Sequence, residues 1–182
     1  MGILDIGKID LGKGFIPLKI IDYNSHISPF VGMATSGSKI LYSYSNTLIL
    51  FEWKGNQVVE LERRHINKGT VTTDLRGRFW LCSSSGNTTC FDNNEQTLDN
   101  PTIYLPGQKI TYMFEDLQGT FWFCTFNDGV YAQTKNTPLK FGVTNGQVPQ
   151  NIRSLSRTPD GRILFGNDVG QASALKKDQI TT

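Results

Sequence analysis

Three aspartates stand near glycines at matching places in the chain: Asp74 three residues before Gly77, Asp116 three before Gly119, and Asp160 directly before Gly161. Repeated carboxylates could serve acid–base chemistry. At a turn between strands, however, a short acid accepts backbone N–H bonds while the glycine takes a positive φ, so the pattern argues for structure. The turns also fall in separate repeats, which spreads the acids apart instead of gathering them into one site. His26 and His65 have no third partner at a spacing that suggests a triad or a metal site, and both read as loop or surface histidines. Ser83, Ser84 and Ser85 run into Gly86 without the G-x-S-x-G elbow of hydrolases. Cys82, Cys90 and Cys124 lack paired C-x-x-C spacing, and no glycine-rich phosphate loop is present. No catalytic residue, metal or cofactor is expected.

The elements behind these residues recur. Asp74-Leu75-Arg76-Gly77-Arg78-Phe79-Trp80-Leu81-Cys82-Ser83 aligns without gaps on Asp116-Leu117-Gln118-Gly119-Thr120-Phe121-Trp122-Phe123-Cys124-Thr125, at an offset of 42. The same offset leads from Gly119 to Gly161 and on through Ile163-Leu164-Phe165-Gly166. A fainter copy lies at Ser36-Gly37-Ser38-Lys39-Ile40-Leu41, where Gly37 stands 40 residues before Gly77. The repeated position favours a packing role for Cys82 and Cys124. A second turn follows nine or ten residues after each first one, at Gly86, Gly129 and Gly170, with Ser45-Asn46 in the faint copy.

Each unit therefore reads as four short strands, for example Ile110 to Glu115, Thr120 to Thr125, Val130 to Gln133 and Leu139 to Val143. A period of about 40 to 50 residues with four strands per unit is the signature of β-propeller blades, and a helical 3.6 period is absent. The expected fold is all-β: about four four-stranded antiparallel blades in an incomplete or open propeller. Residues 1–26 read as the end of a preceding blade or a lead-in, 27–64, 65–106 and 107–149 as blades, and 150–182 as a partial blade. Trp80, Trp122 and Leu164 occupy the position whose large side chains fill the space between blades.

The segment from Ile110 to Thr125, closed by Asp128-Gly129-Val130-Tyr131, resembles the two-component regulator propeller repeat, with its E-D-x-x-G-x-x-W-x-x-T core. The link from Thr144 to Leu155 is similar to that family's connector between blades. The resemblance covers roughly residues 27–182 and departs from the pattern where Leu164 replaces tryptophan and where the first copy lacks the Asp-x-x-Gly turn. It implies the periplasmic sensor portion of a hybrid histidine kinase or related regulator, responding to oligosaccharides, with further blades and signalling domains as its covalent partners. Sialidase propellers offer an enzymatic alternative, but their Asp box places aspartate two residues before glycine, and no arginine cluster or Tyr-Glu pair stands out here.

If a small ligand binds, blade geometry directs attention to the loops between second and third strands. The candidates there are Ser45, Asn46, Ser84, Asn127, Asp128, Asn167 and Asp168, whose side chains could hydrogen-bond sugar hydroxyls but are also the residues that tight turns select. An open ring would leave apolar blade faces, which favours self-association and makes a non-catalytic scaffold for a protein partner or a second copy the alternative to a sensor. The 18 Lys+Arg against 16 Asp+Glu are scattered, so no nucleic-acid footprint is visible. No stretch approaches the roughly 18 apolar residues that crossing a bilayer takes, so no membrane contact is expected of this segment. The charged start lacks the apolar region of an export signal, which leaves either a cytoplasmic protein or one whose leader has been removed.

Overall fold

The computed structural model describes residues 2–10, 14–23, 31–83, 85–93, 97–134, 138–141, 151–176 and 179–181. Among these residues every regular element is a β-strand. A hairpin of β1 (Gly2–Asp10) and β2 (Gly14–Tyr23) precedes four sheets of four antiparallel strands. The sheets comprise β3 (Val31–Ser36), β4 (Lys39–Tyr44), β5 (Thr47–Lys54) and β6 (Gln57–His65); then β7 (Gly69–Thr73), β8 (Phe79–Ser83), β9 (Thr88–Phe91) and β10 (Thr102–Tyr104). They continue with β11 (Ile110–Glu115), β12 (Phe121–Thr125), β13 (Val130–Gln133) and β14 (Pro138–Phe141), and end with β15 (Ile152–Arg157), β16 (Ile163–Asn167), β17 (Ala172–Lys176) and β18 (Gln179–Thr181). Each sheet is an up-and-down meander in chain order. The expected partial last unit thus carries a fourth strand, with β18 paired to β17 from Ala174↔Thr181 to Lys176↔Gln179.

First strands lie against first strands: β3 contacts β7, β7 contacts β11, and β11 contacts β15. The sheets are therefore blades of an open β-propeller, stacked face to face with the first strand of each innermost. A middle strand with a sheet against each face cannot follow the in–out alternation of a half-exposed strand. This is why Phe79, Trp80, Leu81, Cys82 and Ser83 are all buried in β8.

Three apolar seams hold the stack together. Ala34, Leu41, Leu48 and Leu50 of the first blade meet Val71, Phe79, Leu81 and Phe91 of the second. Trp80, Cys82 and Cys90 of the second meet Ile110, Met113 and Phe123 of the third. Trp122, Cys124, Val130 and Ala132 of the third meet Ile152, Leu155, Ile163 and Phe165 of the fourth. Trp80 and Trp122 thus occupy corresponding spots on successive sheets, each on a second strand and each facing the next blade. In the first blade Leu41 takes that role, not Ile40, which faces the opposite side with Tyr42 and Phe51. A shorter turn at residues 37 and 38 shifts the register by one, and a shift of one exchanges the two faces of a strand.

Hydrogen bonds cross every seam, from β4 to β7, from β7 to β11 and from β11 to β15. Ser43 Oγ donates to the Gly69 carbonyl at 3.1 Å, Thr70 Oγ1 to the Thr111 carbonyl at 3.3 Å, and Thr111 Oγ1 to the Ile152 carbonyl at 2.7 Å. At the rim, Asn93 and Leu98, which lie between β9 and β10, reach the first blade. There Asn93 Nδ2 donates to Ser36 Oγ, Lys39 Nζ to the Asn93 carbonyl, and Leu98 N–H to Glu62 Oε2. Leu98 itself is 1 % exposed, inserted into the first seam.

The outward face of the last blade is different. It carries Ser154, Ser156, Leu164, Gly166, Ala172 and Ala174, so that among its described residues Leu164 is the single large apolar side chain.

Candidate functional site

The repeated aspartates are the first residues to place. Asp74 Oδ1 accepts the N–H groups of Arg76 and Arg78, while Oδ2 accepts the Trp80 indole N–H at 2.9 Å and the Arg78 guanidinium at 2.8 Å. Asp116 repeats the arrangement, with Oδ1 on Gln118 and Thr120 N–H and Oδ2 on the Trp122 indole at 2.9 Å. Both carboxylates are buried and committed to their own turns. Gly77, Gly119 and Gly161 close these turns at φ of 75°, 79° and 84°, where a side chain would be strained.

Asp160 does not join this set. The residue that stands 42 after Asp116 is Thr158, whose Oγ1 accepts the Arg162 N–H at 3.0 Å. Asp160 lies one step short of Gly161 on the exposed crown of the turn, where it pairs with Arg162. One oxygen suffices for the turn and none is left for an indole, which fits the presence of Leu164 in place of tryptophan.

The candidates in the loops between second and third strands lie beside the starts of the inner strands, because the registers Gly69↔Ser83, Ile110↔Thr125 and Ile152↔Asn167 bring those points together. Asn167 is consumed by its turn: Oδ1 accepts Val169 and Gln171 N–H, and Nδ2 donates to Gln171 Oε1. Asp128 Oδ2 accepts the Tyr131 hydroxyl at 2.6 Å. Ser45, at φ 48°, and Asn46 form the tight first-blade turn, and Asn127 is exposed. Ser84 lies outside the described residues, as does His26; His65 is exposed at the end of β6. Among the described candidates Asp168 is the one that reaches toward the centre, with Oδ2 3.4 Å from the Arg153 guanidinium.

The centre itself holds a cavity of about 300 Å³. Gly69 and Thr70 of β7, Cys82 of β8, Lys109, Ile110 and Thr111 at the start of β11, Phe126 after β12, and Arg153 of β15 line it. Three blades meet there. Thr111 and Arg153 stand where the ladders of β11 and β15 shift register, one extra residue against the partner strand. A bulge re-aims the side chain it displaces, and here both point into the space among inner strands. The Arg153 guanidinium lies 5.0 Å from the centre of the Phe126 ring, and the Phe126 N–H is tied to the Lys109 carbonyl at 2.9 Å. Gly69 leaves the opposite wall open, since a Cβ there would sit 2.6 Å from the Cys82 carbonyl.

Among the described residues the lining offers two cations, an aromatic ring and two hydroxyls, with no carboxylate or imidazole. Burial pushes the Cys82 thiol up to about 12, so it is a packing group and no nucleophile at neutral pH. None of these lining residues was among the loop candidates. The signal for two of them was present in the sequence, since Thr111 and Arg153 are themselves 42 apart and mark one place in the repeat.

No family model matches the chain, and no curated protein matches it in sequence. Solved structures do match in fold. The extracellular domain assigned to hybrid two-component system BT3049 of B. thetaiotaomicron superposes with a TM-score of 0.60 at 13% identity, covering 83% of this chain and 24% of that one. The extracellular domain of BT4673 from the same organism gives 0.65 at 14% identity, over 90% of this chain and 28% of that one. A gluconolactonase of Xanthomonas campestris, an enzyme, gives 0.60 at 11% identity, over 83% of this chain and 60% of that one. The chain thus spans about a quarter of the length of the two extracellular domains. At such identities the likeness is one of fold, and the fold it shows is the β-propeller.

Proposed function

We propose that this chain is the ligand-sensing propeller portion of a two-component regulator, working in the periplasm and binding a carbohydrate fragment without transforming it. The observation that carries the proposal is the placement of the cavity: its walls come from the inner strands of three different blades. A molecule bound there touches all three and favours one arrangement of them over another, and such differential affinity is what a sensor requires. The likeness to extracellular domains of two-component systems and the E-D-x-x-G-x-x-W repeat support the same reading. So does the lining, whose described polar groups, Lys109, Arg153, Thr70 and Thr111, can hold a ligand.

A panel of neutral and acidic oligosaccharides, screened by thermal shift, tests the proposal. Stabilisation by one class, growing with concentration, is the expected result. If no sugar raises the melting temperature and the chain forms a dimer at every concentration, a scaffold that associates with itself replaces the sensor. The small, largely polar outward face of the last blade gives that second reading little apolar area to work with.

A further inference from the structure

Resting on that sensor reading, we infer that the cavity selects an acidic sugar, with its anionic group held between Lys109 and Arg153 and its ring against Phe126. The charge balance points this way. Among the described residues two cations and no acid line the cavity, and Lys109 has no acidic partner. A neutral sugar would leave both cations uncompensated by any contact it makes, whereas a carboxylate or sulfate accepts charge-assisted hydrogen bonds from both, and arginine presents its donors in a fork that fits either group.

Among the described residues the one competing acid is Asp168, and it competes weakly. Its contact with Arg153 is 3.4 Å long and both side chains are partly exposed, at 32% and 44%. Such a pair yields readily to a better-placed anion. Asp168 then acts as a stand-in that keeps the guanidinium oriented while the cavity is empty and moves aside when the ligand arrives. The volume of about 300 Å³ stands at the lower limit of ordinary ligand pockets, so one sugar unit is held here and the rest of any oligomer extends outward past Phe126. The exposed Phe126 ring, fixed at its backbone by Lys109, offers the flat apolar surface on which a pyranose face can lie.

Calorimetric titration of the 182-residue chain with glucuronate, glucose 6-sulfate, glucose and inorganic sulfate tests this inference. Glucuronate or glucose 6-sulfate, or both, should bind about tenfold more tightly than glucose, and the preferred one tells carboxylate from sulfate. Arg153→Ala and Lys109→Ala should each weaken the acidic sugar about five- to tenfold while leaving the thermal midpoint of the free chain in place, since both side chains are at the surface. Asp168→Asn should tighten it. Equal binding of glucose and the acidic sugars overturns the acidic selectivity while leaving the sensor reading intact. Inorganic sulfate binding as well as the sugars shows an anion site without sugar recognition, and overturns the role given to Phe126. Absence of binding by every probe, together with a flat response to the wider oligosaccharide panel, overturns the sensor reading itself.

Discussion

The second and third blades differ from the fourth at three linked positions. Where they have Asp74, Trp80 and Cys82, or Asp116, Trp122 and Cys124, the fourth has Thr158, Leu164 and Gly166, all at the 42-residue offset. The turn nevertheless keeps its shape. Thr158 N–H donates to the Arg162 carbonyl at 3.0 Å and Gly161 N–H to the Thr158 carbonyl at 2.9 Å, matching Asp116 with Thr120 and Gly119 with Asp116 at 3.0 and 2.9 Å. The carboxylate is therefore not needed to make the turn. Its second oxygen serves the indole, and it is present where a tryptophan has to be fixed against the next blade. Where no tryptophan faces inward, a hydroxyl does the remaining work.

The strongest way to break this comparison is to remove a tryptophan. Trp80 is fully buried, with ring centres of Tyr104, Phe121 and Phe123 at 4.6, 5.1 and 5.9 Å. Trp80→Ala should destabilise the chain by about 3–5 kcal/mol, read by urea denaturation.

Asp74→Thr copies the fourth blade's turn into the second and should cost about 1–3 kcal/mol, because the buried indole N–H loses its acceptor. The comparison sharpens with the pair: Asp74→Thr combined with Trp80→Leu should fall short of the sum of the single losses by about 0.5–3 kcal/mol. Strict additivity in that double-mutant cycle would separate the two residues.

A smaller effect concerns the cysteines. Cys82 and Cys90 keep their protons up to about 12 because burial disfavours the thiolate, and burial raises Cys124 as well. Unfolded thiols ionise near 8.5. The folded values are the raised ones, so the contribution is complete below about pH 8.5 and is lost as pH climbs toward 12. Urea midpoints should therefore fall between pH 7.5 and 10.5, and less steeply in Cys82→Ala than in the parent chain. In native protein at pH 8 all three thiols should resist alkylation.

The smallest change is the converse one. Thr158→Asp supplies the fourth blade with a carboxylate that has no indole to meet, and the thermal midpoint should correspond to a change within about 0.5 kcal/mol. A gain comparable to the loss in Asp74→Thr would show that the acid stabilises the turn itself.

Much of this was legible from residue order. The spacing of glycines located the turns, the aromatic second strands located the seams, and β11 and β13 fall where the pattern put them, with β12 starting one residue later. Asp160 shows a limit of reading by composition: it looks like the repeated acid because it touches glycine, yet the offset assigns that duty to Thr158. The cavity was harder to see. Its side chains stand at bulges, and a bulge interrupts the very alternation by which a strand is recognised, so neither Thr111 nor Arg153 can be assigned a direction without the partner strand. Loop residues drew attention instead, and one of these, Asn167, spends its side chain within its own turn, on the Val169 and Gln171 N–H groups and the Gln171 side chain.

The segment that returns from β9 to the first blade has a consequence for how the molecule opens. Glu62 and Arg64 grip the backbone of Leu98 from both sides, and Arg64 also pairs with Asp99 at 2.5 Å. Separating the first two blades means withdrawing Leu98 from its slot and releasing that grip together. No described segment straddles the junction of the third and fourth in the same manner. Amide protons of β4 and β8 should therefore exchange with solvent as one cooperative block, later than those of β16, so that the far end loosens first and the clasped pair persists as the last folded remnant.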